Sequence, residues 1–153
     1  MKKFELTDET KLCYGRTLFR IRALVAFGNV DAGELGGWIE KESNLSQDGD
    51  AWVYGDAQVY GNARVSGDAR VSGDARVYER RAIMWISVIG SRNDTVTFFA
   101  QKGGIIGVTV GCFYGSIDEF AKKVRATHGD NEHAQAYMLA IELAKLRIET
   151  KGE

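Results

Sequence analysis

From residue 53 onward the apolar positions return at every sixth place. Val53-Tyr-Gly-Asp-Ala-Gln58, Val59-Tyr-Gly-Asn-Ala-Arg64, Val65-Ser-Gly-Asp-Ala-Arg70 and Val71-Ser-Gly-Asp-Ala-Arg76 are four consecutive copies of one hexamer, and Val77-Tyr78 begins another. Upstream, Gly49-Asp50-Ala51-Trp52 fills the last four places of a further copy, with Gln47 where the valine would stand. Within each copy the alternation has period two. Val, Gly and Ala fall on one side, and Tyr/Ser, Asp/Asn and Arg/Gln on the other. The inward set is small, so the interior is narrow, and glycine supplies the backbone angles of corners. Three six-residue sides, each about 20 Å long, make one triangular coil of eighteen residues. Stacked coils pair their strands in parallel and bury the valines in columns. A Gly-rich linker would not keep a valine at every sixth place. A flat meander would need turns longer than one Gly-Asp step.

Residues 47–76 give fewer than two coils. Residues 23–46 can add an irregular one through Val25, Phe27, Val30, Leu35, Trp38, Ile39 and Leu45, with Gly33, Gly36 and Gly37 as corners. So short a solenoid needs covers on its ends, self-association, or both. Lys11–Val25 reads as two strands joined near Gly15, a candidate cover. After residue 79 the period changes. Segments 82–90, 95–100 and 105–110 read as strands, with a turn at Arg92-Asn93-Asp94 and a hairpin signal at Lys102-Gly103-Gly104. Ser116-Ile-Asp-Glu119 is a capping box. Ile117, Phe120, Ala121 and Val124 share one helical face behind it. Gly129 ends that helix and Asp130 or Asn131 caps the next, whose apolar face runs through Ala134, Tyr137, Met138, Ile141, Leu143, Ala144 and Ile148. The expected fold class is α+β: residues 1–79 form a strand cap and a short left-handed β-helix of hexapeptide repeats, and residues 80–153 form a small β-β-β-α-α module.

The repeats resemble the hexapeptide-repeat left-handed β-helix superfamily, whose best-known members are trimeric acyltransferases. The stretch Gly36-Gly-Trp-Ile39 … Leu45-Ser-Gln47 … Gly49-Asp-Ala-Trp-Val-Tyr-Gly55 is similar to mostly uncharacterised β-helix proteins of bacteria, phages and prophages, some carrying a transferase label. The stretch Val110–Phe120, with Thr127–His133, is similar to a module that follows such repeats in phage-type proteins. The resemblance implies the fold and a mobile-element origin.

Composition adds exclusions. The chain has 153 residues, a net charge of −1, 27% charged and 44% hydrophobic residues. That is an ordinary globular mix with no bulk electrostatic pull toward nucleic acid. No apolar run has the length of a membrane span, and Met1-Lys-Lys-Phe-Glu5 lacks a signal core, so a cytoplasmic protein of a bacterial host is expected. Cys13 and Cys112 are far apart and neither sits in a CxxC, which fits a reducing compartment.

Chemistry is sparse. Members of the superfamily that transfer acyl groups typically place a histidine base on a coil. Here the two histidines, His128 and His133, lie between the two helices. With Asp130 and Glu132 they suggest a metal cluster, but the same residues are those of a turn and an N-cap. Cys112 reads as a buried structural thiol, and no glycine cluster is followed by the Lys-Ser/Thr of a phosphate loop. No catalytic set, metal or cofactor is expected on this reading. The outward face of the repeats is the candidate contact surface: Tyr60 stacks with Tyr78 one coil on, Tyr54 with Ser72 on another side, and Arg64, Arg70 and Arg76 project beside them. The expectation is a non-catalytic homo-oligomer, dimer or trimer, that blocks or sequesters a host protein or a small nucleotide. An acyltransferase-like enzyme and an assembly protein are the alternatives.

Overall fold

The computed structural model describes residues 2–150. The strands are β1 (Phe4–Cys13), β2 (Arg16–Ala23), β3 (Leu35–Ile39), β4 (Trp52–Val53), β5 (Gln58–Val59), β6 (Arg70–Val71), β7 (Arg76–Val77), β8 (Ile83–Ile89), β9 (Asp94–Gln101), β10 (Ile105–Val110) and β11 (Phe113–Ser116). The helices α1 (Ile117–His128) and α2 (Glu132–Arg147) follow.

The repeats stack as three parallel ladders. In one, β5 pairs with β7 (Gln58 with Arg76, Val59 with Val77), and in another β4 pairs with β6 (Trp52 with Arg70, Val53 with Val71), each eighteen residues on. The third is marked by the parallel bridge Leu45–Val65. The first coil is irregular: β3 pairs with β5 at a spacing of twenty (Trp38 with Gln58). Val53, Val59, Val65, Val71 and Val77 are fully buried, and the repeat alanines lie beside them. The sides are shorter than the hexamer suggests, because the ladder strands are two residues long. Gly55, Gly61, Gly67 and Gly73 take φ of 57° to 64°, so each Gly-Asp or Gly-Asn step turns a corner instead of facing inward.

Gly36 and Gly37 also depart from expectation. They are buried inside β3, not at corners. A Cβ on Gly37 would stand 2.7 Å from Ala57 O, and one on Gly36 would stand 2.6 Å from the Trp52 ring. Only a residue without a side chain lets the first coil approach the next so closely.

Both ends are covered. The β1–β2 hairpin adds antiparallel to β3, extending one ladder into a five-stranded sheet β1-β2-β3-β5-β7. The buried Lys3 ammonium donates to Gly49 O (3.2 Å) and Ala51 O (2.7 Å), and burial pushes its pKa down. At the other end, β9 lies across the last coil. Ala75 bridges Gln101, Lys102 N–H donates to Asp74 O (3.1 Å) and Arg70 N–H donates to Thr97 Oγ1 (3.1 Å). Ala82, Ile83, Phe99 and Ala100 join the apolar cluster of the repeat valines, so the core runs on past residue 79.

The C-terminal module has four strands, not three, in the order β11-β10-β9-β8. The extra strand is four residues long and runs directly into a helix cap. Ser116 Oγ accepts from Glu119 N–H, and the Glu119 carboxylate accepts from Ser116 N–H. Gly129 closes α1 at φ 64°, and Asn131, not Asp130, caps α2. The helices cover one face of this sheet through Val96, Phe98, Val108, Phe120, Val124, Tyr137 and Ile141. Among the described residues no helix is long and apolar enough to cross a membrane.

Candidate functional site

The stacking that builds the core also lines up one corner of the coils. Passing from coil to coil by twenty and then eighteen residues places Lys41, Gly61 and Glu79 above one another, and likewise Ser43, Ala63 and Arg81. A groove of about 470 Å³ runs along this corner. Lys41, Asn62, Arg64, Glu79, Arg80 and Arg81 line it. It continues into a polar space of about 600 Å³ reached by Arg16, Tyr78, Glu149 and Thr150.

Asn44 shapes the floor. It is fully buried. Its Oδ1 accepts from Glu40 N–H (3.1 Å) and Lys41 N–H (2.9 Å), and its Nδ2 donates to Gly61 O (3.2 Å) and Ala63 O (2.9 Å). One amide therefore ties the backbone on either side of the groove across two coils. Glu40 adds a second tie, accepting from Gly61 N–H (2.8 Å) and from Arg16 Nη1 (2.9 Å). The segment after α2 closes the far side: Glu149 N–H donates to Arg81 O (3.2 Å), and Tyr78 Oη donates to Glu149 O (3.3 Å).

The groove carries an excess of positive charge. Arg16 is paired with Glu40 and Arg81 with Glu149 at 3.2 Å. Lys41, Arg64 and Arg80 form no ion pair among the described residues, and all three are exposed. Converging cations beside a main-chain corner are the chemistry of anion recognition, phosphate above all. The Glu40 carboxylate belongs to the frame. Burial disfavours its charge, but the Gly61 N–H, the Arg16 guanidinium and the Lys41 charge outweigh this and hold its pKa below the ordinary carboxylate value. A depressed acid contributes stability above its unfolded pKa and loses it as pH falls through the folded value. Glu40→Gln should therefore melt below the parent at neutral pH, by about 1 kcal/mol or less for a pair this exposed. The two proteins should converge as pH falls below the ordinary carboxylate range, as read by thermal melts at stepped pH.

The residues singled out from the repeats are placed differently from an open contact face. Tyr60 is 5% exposed and packs with Leu18 and Trp38 beneath the hairpin, Arg16 lying over its ring at 5.8 Å. This is a correction: the hairpin covers the face that the repeat alone leaves open. Gln58 is buried for the same reason and accepts from the Cys13 thiol (3.1 Å). Tyr54 is half-buried against the core, and burial raises its pKa. Tyr78 is half-buried at the groove edge. Arg70 is bound to the C-terminal module, its Nη2 donating to Gly111 O (2.7 Å), and Arg76 donates to Tyr14 Oη (3.4 Å). Arg64 lies in the groove and donates to Ser43 O (3.3 Å). Of the six, Arg64 and Tyr78 thus border the groove.

Lys41, Arg80, Arg81 and Arg16 escaped notice in the sequence. The ladder spacing carried the missing signal, since counting back from Glu79-Arg80-Arg81 by eighteen and twenty residues reaches the Lys41 corner. Cys112 is a further correction. It is exposed in the Gly111–Cys112 turn between β10 and β11, not buried in a strand, because Gly111 at φ 54° reverses the chain there. His128 ends α1 and His133 lies in the first turn of α2, with rings 5.5 Å apart. Among the described residues no group of three or more His, Cys, Asp and Glu could hold a metal ion.

Comparison with known proteins supports a β-solenoid of the hexapeptide-repeat kind. Residues 57–73 and 66–81 match the family described as YdcK beta solenoid repeat. A stretch of 62 residues is 36% identical to a protein of Escherichia coli (strain K12) named "Uncharacterized acetyltransferase YdcK". The match covers 35% of this chain and 19% of the relative, so the chain spans about a fifth of the length of the curated protein it matches. This similarity overturns the expectation of a non-enzyme. That expectation rested on short size, an absent catalytic set and the mobile-element resemblance, and a protein 36% identical to this chain over 62 residues carries an acetyltransferase name.

Proposed function

We propose that this chain is an acetyltransferase-like β-solenoid protein, its repeats wound left-handed, and that the corner groove holds a phosphate-bearing acetyl donor of the acetyl-coenzyme A type. The observation that carries the reading is the convergence of Lys41, Arg64 and Arg80, none ion-paired among the described residues, on one corner of three stacked coils. The donor is a polyanion, and fixed cations on a rigid solenoid meet its phosphates without reorganising. Acetyl transfer forms a bond from an attacking amine or hydroxyl to the acetyl carbonyl carbon and breaks the carbon–sulfur bond; the nucleophile gives up a proton, and the sulfur leaves as a thiolate that takes one up from solvent. Glu79 is the carboxylate that lines both parts of the groove, and we assign it the acceptance of the nucleophile's proton. Assembly into a dimer or trimer belongs to this reading, because a second copy would wall the open side of the groove.

The test is titration calorimetry with acetyl-coenzyme A, repeated with ATP and at rising salt. Binding that weakens with salt supports the reading. The variant Lys41→Glu/Arg80→Glu should bind at least about tenfold more weakly, or ~1.4 kcal/mol. Equal or tighter binding of ATP would shift the groove to a nucleotide site. No heat with either ligand, or a charge reversal without effect, would reject the groove as an anion site.

A further inference from the structure

A second cavity, of about 290 Å³, opens on the C-terminal module between the β8–β9 turn, the β10–β11 turn and α1. It is separate from the groove and shares no lining residue with it. Its floor is apolar, formed by Phe113, Phe120, Val124 and the ring of Tyr137. Its rim carries charges of both signs: Arg92 from the β8–β9 turn, Lys123 from α1 and Asp94 at the start of β9. None of these three forms an ion pair among the described residues. Tyr137 is 7% exposed and packs between Phe120 and His128. Burial raises its pKa, and the Asp94 charge adds to the rise.

We propose that this cavity binds a small zwitterion with an apolar body, of the amino-acid type. Its ammonium meets Asp94, its carboxylate meets Arg92 and Lys123, and its side chain lies on Phe113 and Phe120. A plain organic acid would leave Asp94 facing like charge, and a plain amine would leave the two cations unmatched. The zwitterion satisfies both. The volume suits a single amino acid and is too small for a nucleotide. Neither Cys112 nor His128 is given a chemical role; Cys112 stands at the cavity wall and reports on occupancy.

The experiment uses the full chain with Cys13→Ser, so that Cys112 is the one thiol. Its alkylation by iodoacetamide is timed with L-phenylalanine, phenylacetate or 2-phenylethylamine present. Phenylalanine should slow alkylation saturably, and each analogue should protect roughly tenfold less well, the loss of one charge-assisted contact. Asp94→Asn should bring phenylalanine down to the level of phenylacetate. Lys123→Gln, at an exposed helix position, should bring it toward the level of 2-phenylethylamine and stands in if the Asp94 variant does not fold. Protection by none of the three compounds would overturn the proposal. So would equal protection by all three, or tightest protection by phenylacetate.

Discussion

Val65→Asp should abolish folding. Val65 is fully buried on the third ladder, opposite Leu45, with its N–H donating to Asn44 O (2.8 Å) and its carbonyl accepting from Ser46 N–H (2.8 Å). The interior there is valine, leucine and alanine, and offers a carboxylate neither donor nor cation. An uncompensated buried charge costs several kcal/mol or more, against a total stability of about 5–15 kcal/mol for a domain. The neighbouring Ser66 is half-buried at the corner, so Ser66→Asp should stay within about 0.5 kcal/mol of the parent. Circular dichroism melts of the pair check this. A cooperative Val65→Asp melt near the parent temperature would mean that the inward register is misassigned.

Asn44→Leu should be the second most damaging change, for a different reason. Leucine fills the same space but cannot hydrogen-bond. Removing the amide strands Glu40 N–H, Lys41 N–H, Gly61 O and Ala63 O, which it now serves at 2.9 to 3.2 Å. Ala63 O is buried and the other three groups are part-buried, and an orphaned buried group costs about 1–3 kcal/mol. Partial relief by water leaves an expected loss of roughly 3–5 kcal/mol, or about 10 °C in melting temperature for a chain of this size. Because the same amide fixes the two backbone walls of the groove, the folded variant should also bind acetyl-coenzyme A more weakly. A variant that keeps the parent's melting temperature and affinity would show that Asn44 neither supports the coil nor shapes the groove.

Much of the architecture is legible in the sequence, because a solenoid repeats one physical problem. A valine at every sixth place and a glycine two places later fix the columns and the corners, and the eighteen-residue ladder follows. The capping box at Ser116 and Glu119 is local chemistry and is equally readable. What the sequence hides is the relation between distant segments. Tyr60 and Gln58 look outward within the repeat, yet the β1–β2 hairpin lies over them. Gly36 and Gly37 look like corners, but they are spacers for a close approach to Trp52 and Ala57. β11 is too short to show a period before its chain enters α1. The groove is hidden for a related reason. Its cations come from three coils, one corner each, and no local window contains more than two coils.

The most direct measurement is a crystal structure of the protein grown with acetyl-coenzyme A. Density for the phosphates is expected beside Lys41, Arg64 and Arg80, with the pantetheine arm running on into the space lined by Glu79, Tyr78 and Glu149. Ordered ligand elsewhere on the molecule, or none at a concentration that saturates binding in solution, would contradict it.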